Sequence, residues 1–145
     1  MTVKITKPEI NIREKLVELD SKQDKLIQRP AFSCNSSGTY TTTIDYTVGT
    51  GSVVLGNISQ GSKITSVTID VTTNFDGTGP EITVGDAGDV DRLMTADESD
   101  LIDTGVAYES TPNYIYTNAT DTNILAYLTV NGATQGSLTV TVTFS

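Results

Sequence analysis

The chain has 145 residues, 37% of them apolar and 19% charged, with a net charge of −9 at pH 7 and a pI near 4.2. An acidic chain repels phosphates, which excludes nucleic acid as a direct partner. With no histidine there is no Ser-His-Asp or Cys-His pair and no histidine metal ligand, and no apolar run is long enough to span a membrane.

Character changes at Pro30. Seven of the nine basic residues precede it, against five of the eighteen acidic ones, so the head is +2 (7 − 5) and the rest −11 (2 − 13). Such asymmetry predicts two parts with different tasks. Residues 1–30 read as a docking segment and residues 31–145 as one acidic β-domain, long enough for a single core. The first thirty residues carry charges every few positions, so no signal peptide is expected.

Met1–Lys7 reads as an extended arm, with Val3 and Ile5 alternating with polar residues. Thr6-Lys-Pro-Glu9 is a capping box, and Pro8 suits a first helical turn. A helix follows from about residue 8 to 28 and stops before Pro30. Ile12, Leu16, Leu19, Gln23 and Leu26 step by four and three, forming an a/d seam with one polar layer at Gln23. Glu9→Arg13 and Glu18→Lys22 are favourable i,i+4 pairs. A lone helix with so thin a stripe is marginal in water. It needs its own copies, its own body or another protein, and docking or self-association is the reading preferred. The expected interface is therefore Val3, Ile5, Ile12, Leu16, Leu19, Gln23 and Leu26.

Cys34 is the only cysteine, so no intrachain disulfide forms, and it reads as a small apolar residue. Asn35-Ser-Ser, Asn57-Ile-Ser and Asn118-Ala-Thr match the glycosylation triplet by chance in a Ser/Thr-rich chain. Period-two alternation then dominates. Tyr40–Val48 places Tyr40, Thr42, Ile44, Tyr46 and Val48 on one face. Val67, Ile69 and Val71 form a second strip, Ile124, Ala126, Leu128 and Val130 a third, and Leu138, Val140, Val142 and Phe144 a fourth. Shorter strands are expected at Ser52–Leu55, Glu81–Val84 and Tyr114–Thr117. Asn131-Gly132 predicts a hairpin between its flanking strands. Thr95-Ala-Asp-Glu98 is a second capping box, predicting a short helix through Ile102 anchored by Leu93, Met94 and Leu101. The fold class predicted is mainly β: an antiparallel β-sandwich or jelly roll preceded by an α-helix and arm.

Chemistry has few places to sit. Two carboxylates could serve a glycosidase, but the acids of residues 86–103 flank loops and a helix start, where Asp caps N–H groups. Asp86-Ala-Gly-Asp-Val-Asp91 offers oxygen ligands for calcium but lacks EF-hand spacing, and solvated loop acids are the preferred reading. No catalytic residue, metal or cofactor is assigned. Tyr108, Tyr114 and Tyr116 could form a carbohydrate or protein contact patch, or could pack in the core.

Lys7-Pro-Glu-Ile-Asn-Ile-Arg-Glu-Lys-Leu16, followed by Glu18-Leu19, resembles the N-terminal segment found on structural proteins of tailed bacteriophages, often ahead of unrelated C-terminal domains. The run from Asn74 to Leu101, with Pro112-Asn-Tyr-Ile-Tyr116, is similar to small β-domains of phage head and tail proteins. A shared head on different bodies implies a common docking surface. The resemblance implies a non-enzymatic virion protein assembled in the host cytoplasm. A capsid decoration (cement) protein is expected, a homotrimer bound to its own copies and to the major capsid protein or another virion protein. A short head or tail fibre or tail adaptor is the alternative. A carbohydrate-binding module is another, from a different class.

Overall fold

The computed structural model describes residues 37–145. The arm and helix expected at residues 1–30 lie outside the described residues. Nine strands form among the described residues: β1 (Gly38–Asp45), β2 (Gly51–Ile58), β3 (Lys63–Thr73), β4 (Glu81–Asp86), β5 (Asp89–Met94), β6 (Val106–Ser110), β7 (Tyr114–Ile115), β8 (Thr122–Thr129) and β9 (Ser137–Phe144). The first sheet has the order β1-β9-β3-β6, with β7 also on β3, and the second has the order β2-β8-β4-β5. All pairs are antiparallel. The pairs are nested: β1 takes β9, β2 takes β8, β3 takes β6 and β7, and β4 takes β5. That is a long hairpin folded over into two sheets, the jelly-roll arrangement.

Alternation sends one face of each strand into a shared core. Val67, Ile69, Val71, Leu138, Val140 and Val142 of the first sheet meet Ile82, Val84, Ile124, Ala126 and Leu128 of the second, all buried. Each Val, Leu or Ile among them stabilises by about 1.5–3 kcal/mol relative to exposure. Ile64 and Val67 both face inward although three residues apart. A bulge at Thr65 absorbs the extra residue, since Ile64 lies opposite Phe144 and Ser66 opposite Thr143. A second bulge lets Leu55 and Ile58 of β2 both point inward.

Three local expectations need correction. The strand expected through Val48 ends at Asp45, and Tyr46–Val48 is a 3₁₀ turn with Tyr46 and Val48 exposed. The Asp45 carboxylate accepts the Thr47 N–H at 2.9 Å, and that local bond competes with the ladder. The helix expected to run through Ile102 is only a 3₁₀ turn at Ala96–Glu98. Its capping box is present, with Thr95 N–H donating to the Glu98 carboxylate at 2.7 Å, and Leu93, Met94 and Leu101 are buried as anchors. Asn131-Gly132 does make a tight turn, closed by Ala133 N–H to the Val130 carbonyl at 3.0 Å, with both central residues at positive φ. The flanking strands do not pair, because β8 is held between β2 and β4 and β9 between β1 and β3.

Candidate functional site

Register fixes which end of the sandwich the chain enters. Gly38 lies opposite Phe144, and Phe144 opposite Ile64, so Ser37 joins at this proximal end. Ser145 is fastened there too, exchanging bonds of 2.9 and 2.8 Å with Lys63. Lys63 and Arg92, the only bases after Pro30, both lie in the proximal half. The opposite, distal end consists of residues 46–50, 74–80, 95–105 and 130–136. It carries Asp76, Asp97, Glu98, Asp100 and Asp103 and no base. The proximal half also carries Asp86, Asp89, Asp91 and Asp121, so both ends are acidic and only the proximal one contains bases.

The distal loops are tied together. Asp76 accepts from the Thr134 hydroxyl at 2.7 Å, from its N–H at 2.6 Å and from the Gln135 N–H at 3.1 Å. The bonds from Thr134, then that from Gln135, hold its carboxyl below the usual range. Phe75 is buried, donates its N–H to the Leu101 carbonyl at 2.9 Å and packs its ring against Gly136. A side chain at Gly136 would strike that ring, and its φ of +145° favours glycine.

At the proximal end Asp86 is buried. One carboxylate oxygen accepts the N–H groups of Gly88 (2.8 Å) and Asp89 (3.1 Å). The other accepts Arg92 Nε at 2.7 Å and the Tyr116 hydroxyl at 3.0 Å. Tyr127 donates to the Asp86 carbonyl at 3.0 Å. Arg92 also donates to the Tyr114 hydroxyl at 3.0 Å and lies over its ring, 4.9 Å from the centroid. Burial pushes the Asp86 carboxyl up, but the bonds from Gly88, Arg92 and Tyr116 outweigh it and leave it below the usual range. Burial, then the Asp86 charge, raises the Tyr116 phenol far above its usual value. A hydrogen bond to Asp89 raises Asp91. Asp86 is therefore a staple joining the β4–β5 hairpin to β7 and β8. Both its oxygens are already committed to protein donors. Among the described residues no group of three or more His, Cys, Asp or Glu side chains could hold a metal ion, and no helix is long and apolar enough to cross a membrane.

Of the expected site residues, Val3, Ile5, Ile12, Leu16, Leu19, Gln23 and Leu26 lie outside the described residues. The three tyrosines do not share one surface. Tyr116 is 2% exposed, Tyr114 sits half-buried beneath Arg92 with its ring edge-on to Tyr116, and Tyr108 is half-buried against the core. Sequence reasoning missed the staple. Its one signal was a lone arginine, Arg92, set among carboxylates.

The two outer faces differ. Outside the first sheet, Thr39, Thr41 and Thr43 of β1 stand opposite Thr143, Thr141 and Thr139 of β9, with hydroxyl pairs at 3.4 and 3.3 Å. Outside the second sheet, Val54 lies opposite Leu125 and Ser52 opposite Tyr127. Val54 is 57% exposed, and Leu125 and Tyr127 are half-buried, outside the core cluster. Ile124–Leu128 is apolar at every position, the pattern of a strand covered on both faces.

No protein-family model matches this sequence, and no curated protein matches it. Solved structures do. A chain of the cyanophage Pam1 capsid asymmetric unit matches with a TM-score of 0.57 and 23% identity over 75% of this chain and 84% of that one. A chain of the acid-stable capsid of Helicobacter pylori bacteriophage KHP30 matches at 0.59 and 13% identity, over 74% and 86%. A chain of the Ralstonia phage GP4 capsid matches at 0.55 and 15% identity, over 75% and 82%. Coverage this high on both sides means the matched chains are about this size, and the likeness establishes a shared fold.

Proposed function

We propose that this chain is a non-enzymatic structural protein of a tailed-phage virion, a capsid decoration (cement) protein docked through residues 1–30. The observation that carries the reading is the likeness of its fold, over 74–75% of the chain, to chains of similar size in three phage capsid structures. The resemblance of residues 7–19 to phage N-terminal segments supports it independently. The basic segment precedes β1 at the proximal end, and in this reading the tied distal loops, which carry acids and no base, face outward. Acidic outer ends keep crowded copies soluble. The partners are its own copies, as a homotrimer, and the major capsid protein. Many modest contacts repeated over a shell act through avidity.

Undecorated capsids mixed with the purified chain test this. Binding on the order of hundreds of copies per particle is expected, lost on deletion of residues 1–29. Roughly a dozen copies or fewer, confined to one vertex, would instead indicate a tail or fibre component.

A further inference from the structure

We infer that the outer edge of β1 is a contact between copies of this chain: β1 of one copy pairs antiparallel with β1 of a second copy, about a two-fold axis at Thr41. The pairing joins two first sheets into one continuous sheet. It stands apart from the docking role proposed above, and a two-fold contact lies between trimers rather than within one.

Comparison of the edges leads there. The sandwich has four: β1 and β6 bound the first sheet, β2 and β5 the second. An edge strand presents unpaired N–H and C=O groups, and proteins blunt it with charge, a bulge, short length or cover. β5 carries Asp89, Asp91 and Arg92 and meets β4 through a bulge. β6 is five residues long and carries Glu109, and β7, also on β3, has two residues. β2 is kinked by its bulge and covered by Tyr40 of β1, whose ring lies on Gly56 and whose hydroxyl donates to the Asn57 carbonyl at 2.7 Å. β1 has none of these devices. It runs eight residues in unbroken register with β9 and holds neither charge nor proline from Gly38 to Ile44. Among the described residues no backbone pairs with its other side.

Charge selects the occupant. The body is −11, so two bodies repel and can meet closely only where acids are missing. Gly38–Ile44 is such a stretch, and it offers a charged foreign partner nothing to read. With Thr41 on the axis, the two Asp45 residues stand about 27 Å apart along the strands, well past the screening length of about 8 Å.

Side-chain matching selects the register. A two-fold axis perpendicular to the sheet keeps both outer faces on one side. Placed at Thr41, it sets Thr41 against Thr41, Thr39 against Thr43 and Tyr40 against Thr42, with Asp45 beyond the partner strand's first residue. Placed at Thr42, it would bring Asp45 against Thr39. Every outer pair in the first register is Thr–Thr, the pairing that β1 already makes with β9, where the hydroxyls of Thr41 and Thr141 lie 3.4 Å apart and those of Thr43 and Thr139 3.3 Å apart. Two such strands bury far less than the roughly 800 Å² per partner of a standard interface, so one contact is weak and matters where copies are concentrated.

Oxidation of the purified full-length chain, without phage particles, tests this. In a Cys34→Ser background, Thr41→Cys is expected to form a disulfide between copies as concentration rises. Thr141→Cys, one strand further in on the same face, is the control: its two copies would stand three strand spacings apart, about 14 Å, beyond the ~7 Å a disulfide can span. About tenfold more dimer is expected from Thr41→Cys than from Thr141→Cys. Equal yields, or no Thr41→Cys dimer even in the concentrated chain, overturn the inference. As a second measurement, Thr41→Lys puts a charge on the edge and should lower the sedimenting mass while the melting temperature is kept, and an unchanged mass overturns the inference. Capsid binding is read separately: copies that cross-link through β1 but bind no capsid would sink the decoration reading and leave this contact standing.

Discussion

Asp86 and Arg92, six residues apart in one hairpin, are joined by a 2.7 Å bond from Nε to a carboxylate oxygen that also receives the Tyr116 hydroxyl. The pair is unequally buried, 7% exposed at the Asp86 side chain and 27% at Arg92. The acid is therefore the partner that suffers when the pair is broken.

Asp86→Asn should cost about 2–4 kcal/mol in urea unfolding at pH 7, because four donors lose a charged acceptor in a buried site. Asp97→Asn, on an exposed distal turn, should cost less than about 0.5 kcal/mol. Equal effects of the two changes would mean that the staple contributes nothing particular.

Stability should fall with acid through the same group. The folded Asp86 carboxyl titrates below its unfolded value near 3.8, so its contribution is complete above that pH and is lost as pH drops through the folded value. The gap in urea midpoint between the native chain and Asp86→Asn, open at pH 7, should narrow steadily below about pH 4. A gap that is constant from pH 7 to pH 2 would contradict the assignment.

Gly136→Ala should destabilise by about 2–4 kcal/mol, combining an unfavourable positive φ with overlap on the buried Phe75 ring. Gly49→Ala, at positive φ but in open space, should cost only about 1 kcal/mol. Thermal melts of the two variants rank them, and the reverse order would refute the packing account.

Removing residues 1–29 should leave a folded sandwich whose melting temperature shifts by less than about 5 °C and which no longer docks. Leu16→Asp with Leu19→Asp should reduce the oligomer in sedimentation and leave the β-rich circular dichroism intact. Recovery of the shortened chain only as aggregate would show that the head belongs to the core.

Alternation of side chains is a local property, and the residues that show it are core residues here. Val67, Ile69, Val71, Leu138, Val140 and Val142 announce their inward faces by period two alone. The capping box at Thr95 and the left-handed turn at Asn131-Gly132 were legible for the same reason, since each depends on neighbours within four residues. The length of each element was less legible. Asp45 ended β1 early with a bond to Thr47, and a bulge at Thr65 concealed the first residues of β3 by breaking the alternation.

The sequence by itself determined the mainly β class, the identity of the core strips and the separation of a basic head from an acidic body. Each follows from local periodicity or from a sum of charges. Only the tertiary structure decided which strands are neighbours, because nested pairing joins residues as far apart as Gly38 and Phe144. That pairing turns Asp86 from a surface acid into a staple by bringing around it Arg92 of β5, Tyr127 of β8 and Tyr116, the residue that follows β7. It also turns Leu125 and Tyr127 outward beside Val54. The inward strip Ile124, Ala126 and Leu128 is legible in the sequence, but which residues stand beside Leu125 and Tyr127 on the other face is set by the register against β2 and β4, a matter of long-range pairing.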